Sequence, residues 1–339
     1  MSTGAGSYYE RFGYLWPDMR AGNLLGAGSF GNVWELLDDE DAGHIEAVKE
    51  IPVPPETMGG LSEAKLQGLD IKGANLYFDG MKKCALEEAA MMMKLSSCPN
   101  IVRISDYRVC ELDGQNDNAV CIIFIRMERL QPLKERLITE GISIGEILQL
   151  GIDICTALEE CSRYGILHRD VKPENIFCVP GQDVFKLGDF GTAKYVARST
   201  SGKELFGTLS HIAPEVYNGS KFTYAGDLYA LGMILYKLLN DNRIPFLPPY
   251  PEPYLPEDRD RALSLRLEGA ELGLPSAAYS QISSHHPTLR VDVDALAVIK
   301  KVSAIAVKAV SPVPEKRFSD AAELRLALEG VKHDITHRT

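Results

Sequence analysis

The chain has 339 residues, 45% of them hydrophobic and 24% charged, which is ordinary globular composition with enough apolar material for a sizeable core. Its formal net charge of -11 argues against nucleic acid or an anionic membrane surface as the main partner. No apolar run approaches the roughly 18 residues that cross a bilayer, and Met1 to Arg20 is polar, glycine-rich and aromatic where a secretory leader would be basic and then apolar. The expectation is a cytoplasmic chain with no membrane segment within it.

In chain order, residues 1–20 read as an arm whose aromatics (Tyr8, Tyr9, Phe12, Tyr14, Trp16) pack on a domain surface. Asn23 to Leu37 reads as two strands around a glycine-rich turn, and His44 to Ile51 as a third strand with Ile45, Ala47 and Lys49 in alternation. Pro52 to Gly80 carries Pro-Pro, Gly-Gly and further glycines, so it reads as a loop with a short helix at Leu61–Leu69. Lys82 to Leu95 is rich in Ala, Met, Leu and Glu and reads as a helix. Ile101–Val109 and Ala119–Met127 are strand-like, joined by a polar hairpin containing Asp113-Gly114. Beyond Pro132 helices dominate: Ser143 to Tyr164, the almost wholly apolar Gly226 to Asn240, Val293 to Val310 and Asp320 to Leu328. A loop-rich stretch fills His168 to Asn218, and a proline-rich loop fills Pro245 to Pro256. The order is a strand-rich small lobe over residues 21–129, a helical large lobe over 130–332 and a tail over 333–339.

The seven cysteines (Cys84, Cys98, Cys110, Cys121, Cys155, Cys161 and Cys178) form no Cys-x-x-Cys pair and several sit in apolar runs. They read as core thiols of a reducing compartment, and no histidine stands beside them at zinc-site spacing.

Five motifs carry chemistry. Gly26-Ala27-Gly28 with Gly31 and Val33 is weak alone, because dinucleotide folds use the same glycine spacing. Here, though, a strand follows the glycines where such a fold would open a helix. Ala47-Val48-Lys49 puts a lysine one strand later, within reach of phosphates held at the hairpin, and the next helix offers Glu87 and Glu88 as its carboxylate, Glu88 being the better placed. His168-Arg169-Asp170-Val171-Lys172-Pro173-Glu174-Asn175 is the decisive run. Asp189-Phe190-Gly191 follows, and then Gly207-Thr208 with Ala213-Pro214-Glu215.

Together these motifs resemble the eukaryotic-type Ser/Thr protein kinase family, over about residues 22 to 330. The resemblance implies an α+β bilobal fold: a small antiparallel β-sheet lobe with one main helix, and a larger, mainly helical lobe. It implies an enzyme that passes the γ-phosphoryl group of ATP to protein Ser/Thr hydroxyls, with magnesium as cofactor and manganese as a substitute. Asp170 would orient the substrate hydroxyl, Lys172 would neutralise the moving phosphoryl group, and Asn175 and Asp189 would hold the metal through hard oxygens. Lys49 would cradle the inner phosphates and Glu88 would fix Lys49.

The glycines Gly26, Gly28 and Gly31 with Ala27 would cover the phosphates, Val33 and Ala47 would form the adenine ceiling and Phe177 its floor. Met127 matches the gatekeeper position, which gives the adenine edge to the Glu128 carbonyl and the Leu130 amide. Asp227 resembles the aspartate that accepts catalytic-loop amides, and Glu215 would pair with Arg317. Lys172 and Thr208 match the serine/threonine branch.

Arg169 implies a phosphate on the activation segment, with Ser199, Thr200, Ser201 and Thr208 as candidate sites and a transient dimer as the route to autophosphorylation. The proline-rich loop and the short activation segment look bacterial. His211 departs from the family's usual tyrosine before Ala-Pro-Glu, which bears on peptide docking, and Pro52–Gly80 is longer than the usual link. A pseudokinase scaffold and a small-molecule phosphotransferase are the alternative functions.

Overall fold

The computed structural model describes residues 15–28, 31–41, 43, 45–53, 71–112, 121–190, 209–278, 289–290 and 296–336, apart from the side chains of residues 71–77, 84, 88, 290 and 336. The chain divides into two compact units, Met1–Ser97 with Val102–Arg129 and Cys98–Ile101 with Leu130–Thr339.

The first unit is built on strands β1 (Met19–Gly28), β2 (Gly31–Asp38), β3 (Ile45–Val53), β4 (Ile104–Glu111) and β5 (Cys121–Glu128). They form one antiparallel sheet in the order β1-β2-β3-β5-β4. Because neighbouring residues of a strand face opposite ways, register assigns each side chain to one face. Val48, Leu36, Ile122 and Phe124 share one face and form a core cluster with Trp16, Met19 and Cys110. Trp16, from the segment preceding β1, is fixed there by its indole N–H, which donates to Asp106 Oδ2 at 3.1 Å. The guanidinium groups of Arg108 and Arg126 lie 6.0 and 5.9 Å from its ring centre.

Helix α1 spans Ile71–Leu95 and lies against β3, β4 and β5. It starts eleven residues before the Lys82 expected from sequence, inside the stretch read as a loop. Gly73 and Gly80 each cost a helix about 1 kcal/mol. The buried side chains Phe78, Met81, Ala89, Met92 and Leu95 recur at helical spacing, and a buried Phe or Met stabilises by roughly 1.5–3 kcal/mol, so packing overrides the glycine signal. The short helix expected at Leu61–Leu69 and the Asp113-Gly114 turn lie outside the described residues.

The second unit holds α2 (Leu133–Thr139), α3 (Ile144–Arg163), α4 (Pro214–Tyr217), α5 (Tyr224–Leu238), α6 (Pro256–Leu267), α7 (Leu296–Ala309) and α8 (Ala321–Thr336). Helix α3 starts where it does because Ser143 and Glu146 form a reciprocal capping box. Helix α5 is buried almost all round and packs on α3 and α7, while α8 packs on α3 and α7. Helix α8 runs to Thr336, into the stretch read as tail, and α6 occupies sequence that showed no helical pattern. A three-stranded sheet of β6 (Gln131–Pro132), β7 (Ile176–Cys178) and β8 (Phe185–Leu187) carries the loops of interest. Six cysteines (98, 110, 121, 155, 161 and 178) are buried free thiols, with Cys121 pushed up to about 11 by burial. No helix among the described residues is long and apolar enough to cross a membrane.

Candidate active site

In the first unit the candidate nucleotide-binding residues share the face of the sheet opposite Trp16. Gly26 pairs with Val33, Val33 with Lys49, and Ala47 with Met127. Directly paired residues of an antiparallel ladder point the same way, so the glycine hairpin, the lysine and Met127 are aligned by register alone. Gly28 pairs with Gly31 at the hairpin tip.

The two ends of that hairpin need glycine for different reasons. Gly31 has φ +139°, and a Cβ there would fall 1.7 Å from the Glu50 carbonyl oxygen of β3, so the fold itself demands glycine. A Cβ on Gly26 would meet nothing within 4 Å. Packing therefore asks for no glycine at 26, which suits a backbone left open to a ligand.

Lys49 is half-buried and Ala47 buried. The Lys49–Glu88 pairing lies outside the described residues, since only the backbone of Glu88 in α1 is described. The alternative, Glu87, is exposed and lies 3.9 Å from Lys83 in an ion pair along the helix. Glu128 donates its N–H to the Arg103 carbonyl and accepts the Arg103 N–H at 2.6 Å, which fixes the end of β5.

In the second unit the catalytic-loop residues form one hydrogen-bonded group. The Asp170 carboxylate lies 2.7 Å from Lys172 Nζ and accepts Asn175 Nδ2 at 3.0 Å, and the same Nδ2 reaches the Asp170 carbonyl at 2.9 Å. Asn175 thereby turns its amino end to Asp170 and leaves its carbonyl end as an oxygen donor. The Asn175 carbonyl accepts the Gly188 N–H at 2.9 Å, so the loop is tied directly to the residue before Asp189. His168 meets the Gly188 carbonyl at 3.1 Å, and its ring stacks edge-on with Phe190 at 4.6 Å. Arg169 and Asp189 both sit at positive φ, 68° and 59°, where non-glycine residues are strained. Phe177 and Leu130, both half-buried, belong to this unit.

The strained turn is held from below. The Asp227 carboxylate, at the start of α5, accepts the His168 N–H at 3.0 Å and the Arg169 N–H at 2.8 Å. Burial pushes its carboxyl up to about 7, against the downward pull of those two donors. Burial likewise holds the His168 imidazole below its ordinary range, although the Gly188 contact pulls upward. Glu215 and Arg317 form a bidentate pair, both bonds 2.7 Å, with the guanidinium fully buried.

Asn175 and Asp189 present the hard-oxygen chemistry that magnesium takes, and two protein donors suit an ion that draws its remaining ligands from phosphates and water. Among the described residues no three His, Cys, Asp or Glu cluster as a self-sufficient metal cage. The candidate residues Gly191, Ser199, Thr200, Ser201 and Thr208 lie outside the described residues.

Three residues carry geometry that the motifs did not signal. Glu35, buried, takes the N–H and side-chain amide of Asn23 and lies 2.9 Å from Arg129. Tyr229 has Arg317 and Arg266 at 4.8 and 5.7 Å from its ring centre. Arg266, on a helix rich in charged residues, is only 2% exposed. No local pattern distinguishes such a residue, because its partners lie 37 to 57 positions away.

A family model, the protein kinase domain, matches residues 19–252. Among curated relatives, the probable serine/threonine-protein kinase PknB of Lactococcus lactis is 29% identical over 62% of this chain and 31% of its own length. The serine/threonine-protein kinase GIN4 of Saccharomyces cerevisiae is 29% identical over 76% of this chain and 21% of its own. The serine/threonine-protein kinase PknB of Mycobacterium leprae is 30% identical over 54% of this chain and 26% of its own. The chain thus spans about a third or less of these relatives' length.

Proposed function

The chain belongs to the protein kinase domain family, and from that premise we propose that it is a serine/threonine protein kinase that uses ATP and magnesium, with manganese as a substitute. The observation that carries the reading is the Asp170 carboxylate held by both Lys172 and Asn175 on a strained turn that Asp227 anchors. Such a constellation fixes one carboxylate oxygen and leaves the group aimed for a substrate hydroxyl, which is the positioning that phosphoryl transfer requires.

Magnesium, when bound, would offset the charge of the phosphates. Asn175 and Asp189 would hold it. Lys49 would draw the inner phosphates, and Glu88 would orient Lys49. Gly26, Ala27, Gly28 and Gly31 would let backbone amides approach the phosphates. Val33, Ala47, Met127 and Phe177 would line the adenine, with the Glu128 carbonyl and Leu130 amide on its edge. Asp170 would then take the hydroxyl proton, and Lys172 would balance charge on the transferred group.

We read residues 21–129 and 130–332 as the two lobes. We place the chain among bacterial members, which the bacterial relatives support, and we read it as cytoplasmic, acting on proteins and not on nucleic acid. Autophosphorylation within Ser199–Ser201, through a transient dimer, would set a dianion beside Arg169.

The test is incubation with labelled ATP and magnesium, alone and with a generic basic protein, beside Asp170→Ala. Label on Ser or Thr that vanishes in the variant supports the reading. ATP binding without transfer in any condition would overturn it in favour of a scaffold. Peptide mapping that finds no phosphate within Ser199–Ser201 would remove the autophosphorylation step alone.

A further inference from the structure

The proline-rich loop between α5 and α6 has no part in the phosphoryl transfer proposed for this chain. Residues 249–257, Pro-Tyr-Pro-Glu-Pro-Tyr-Leu-Pro-Glu, are exposed without interruption. Tyr250, Tyr254 and Leu255 are 41%, 43% and 66% exposed. Single apolar side chains at a surface are ordinary, but three of them beside four prolines in nine residues form a contiguous run of the kind that marks an interaction site.

The run is fixed from beneath. Phe246 and Leu247 pack on the buried cluster of Ile244, Ala262 and Leu263, which ties the start of the loop to α6. Arg243 Nη1 donates to the carbonyls of Pro248 at 2.5 Å and Glu252 at 2.7 Å. Its guanidinium carbon lies 5.5 Å from the Tyr250 ring centre and 5.1 Å from that of Tyr254, so one cation stations both rings. The backbone of Arg243 is pinned in turn by Asn240, whose carbonyl accepts its N–H at 2.8 Å and whose Nδ2 donates to its carbonyl at 3.0 Å.

The chemistry of the run selects the kind of partner. Proline has no N–H, and the N–H groups of Glu252 and Leu255 are taken within the loop, by the Pro249 carbonyl at 2.9 Å and by Asp258 Oδ2 at 3.0 Å. The run therefore offers no unbroken ladder of donors to another strand, which argues against sheet extension. Pro253-Tyr254-Leu255-Pro256 is instead a Pro-x-x-Pro segment exposed throughout, with Leu255 extended at φ −95° and ψ 165°. Such segments are read by grooves lined with aromatic side chains. Residues 249–258 carry three carboxylates, Glu252, Glu257 and Asp258, and no Lys or Arg, so the complementary groove has a basic rim.

We propose that the loop 249–257, braced by Arg243, is a docking site for a protein domain whose aromatic-lined, basic-rimmed groove reads polyproline segments. Because Arg243 orders both tyrosines in the free protein, the entropy cost of ordering them does not fall on binding. The inference goes beyond the protein kinase reading and does not depend on it, since docking at this loop uses none of the candidate catalytic residues.

The experiment titrates the purified chain into two fluorescently labelled probes of that groove chemistry, an SH3 domain and a WW domain, beside a free peptide of residues 245–257. The wild type is expected to bind at least one of them, roughly tenfold tighter than the peptide does, given two tyrosines ordered in advance. Arg243→Ala is expected to lose that advantage, and Tyr254→Ala to weaken binding roughly tenfold or more. If Arg243→Ala fails to fold, Tyr254→Ala and Leu255→Ser, which replace exposed side chains, decide.

Binding of neither domain overturns the inference, as does binding that Tyr254→Ala and Leu255→Ser leave unchanged, which would place the contact elsewhere. A free peptide that binds as tightly as the whole chain overturns it as well, because Arg243 would then order nothing that binding needs. Self-association of the wild type, read by sedimentation and abolished by the same two substitutions, would assign the loop to a second copy of this chain instead. Phosphoryl transfer enters none of these readouts, so the kinase reading and this inference stand or fall separately.

Discussion

The sheet unit and the helical unit align their candidate residues by different physics. In the sheet, Gly26, Val33, Lys49, Ala47 and Met127 come together through strand register, so the alignment is spread over many backbone hydrogen bonds. In the helical unit, Asp170 is aimed by a few specific side chains: Asn175, Lys172 and, beneath them, Asp227. Distributed alignment tolerates the loss of a side chain but not a backbone clash. Concentrated alignment is the reverse, because each deletion strands a buried partner.

The largest expected effect tests the concentrated half. Asp170→Ala should lower kcat by roughly 10²–10⁴ while the melting temperature stays close to that of the wild type. A kcat within a few-fold of wild type would show that this carboxylate is not the aimed group. Next is Arg317→Ala, which leaves Glu215 facing an emptied buried site and should cost about 3–5 kcal/mol, read by urea unfolding. A loss below about 1 kcal/mol would mean that the bidentate pair contributes little.

The sheet makes the converse prediction. Gly31→Ala drives a Cβ into the Glu50 carbonyl and should destabilise by roughly 2–4 kcal/mol. Gly26→Ala, with open space above it, should change stability by less than about 0.5 kcal/mol and instead raise the KM for ATP. Equal destabilisation by both would refute the distinction drawn between the two ends of the hairpin.

A further effect is electrostatic. Burial, aided by Lys237, Arg266 and Lys172, holds the His211 imidazole well below its ordinary range, so the folded protein keeps it neutral. As pH falls through about 6.5 the unfolded chain binds a proton that the folded chain refuses, and stability is lost at up to about 1.4 kcal/mol per pH unit. Asp227 acts oppositely: its contribution is present below the ordinary carboxylate range and lost as pH rises through about 7. The clean measurement is the difference in unfolding free energy between wild type and His211→Gln across pH 5 to 7. The variant's relative stability should improve toward pH 5, and a flat difference would mean that His211 takes up its proton in the fold.

The candidate residues were legible because their order along the chain is itself the signal: His168 to Asn175 close one turn, and Gly26 to Val33 close one hairpin. The contacts of Asp227 and of Glu215 with Arg317 could also be read, through motif resemblance, and the structure shows both. The start of α1 could not, because Gly73 and Gly80 speak for a loop locally while Phe78 and Met81 speak for a helix only once the sheet is there to bury them.

By itself the sequence determined which candidate groups exist for the proposed phosphoryl transfer and which local turns carry them, since glycine, carboxylate and lysine spacing act within a few residues. Only the tertiary structure decided what holds those turns. A capping Ser143, a buried Arg266 and an indole laid on a sheet by Trp16 look alike in sequence to exposed polar or aromatic residues, and become distinct only when distant chain removes water from around them.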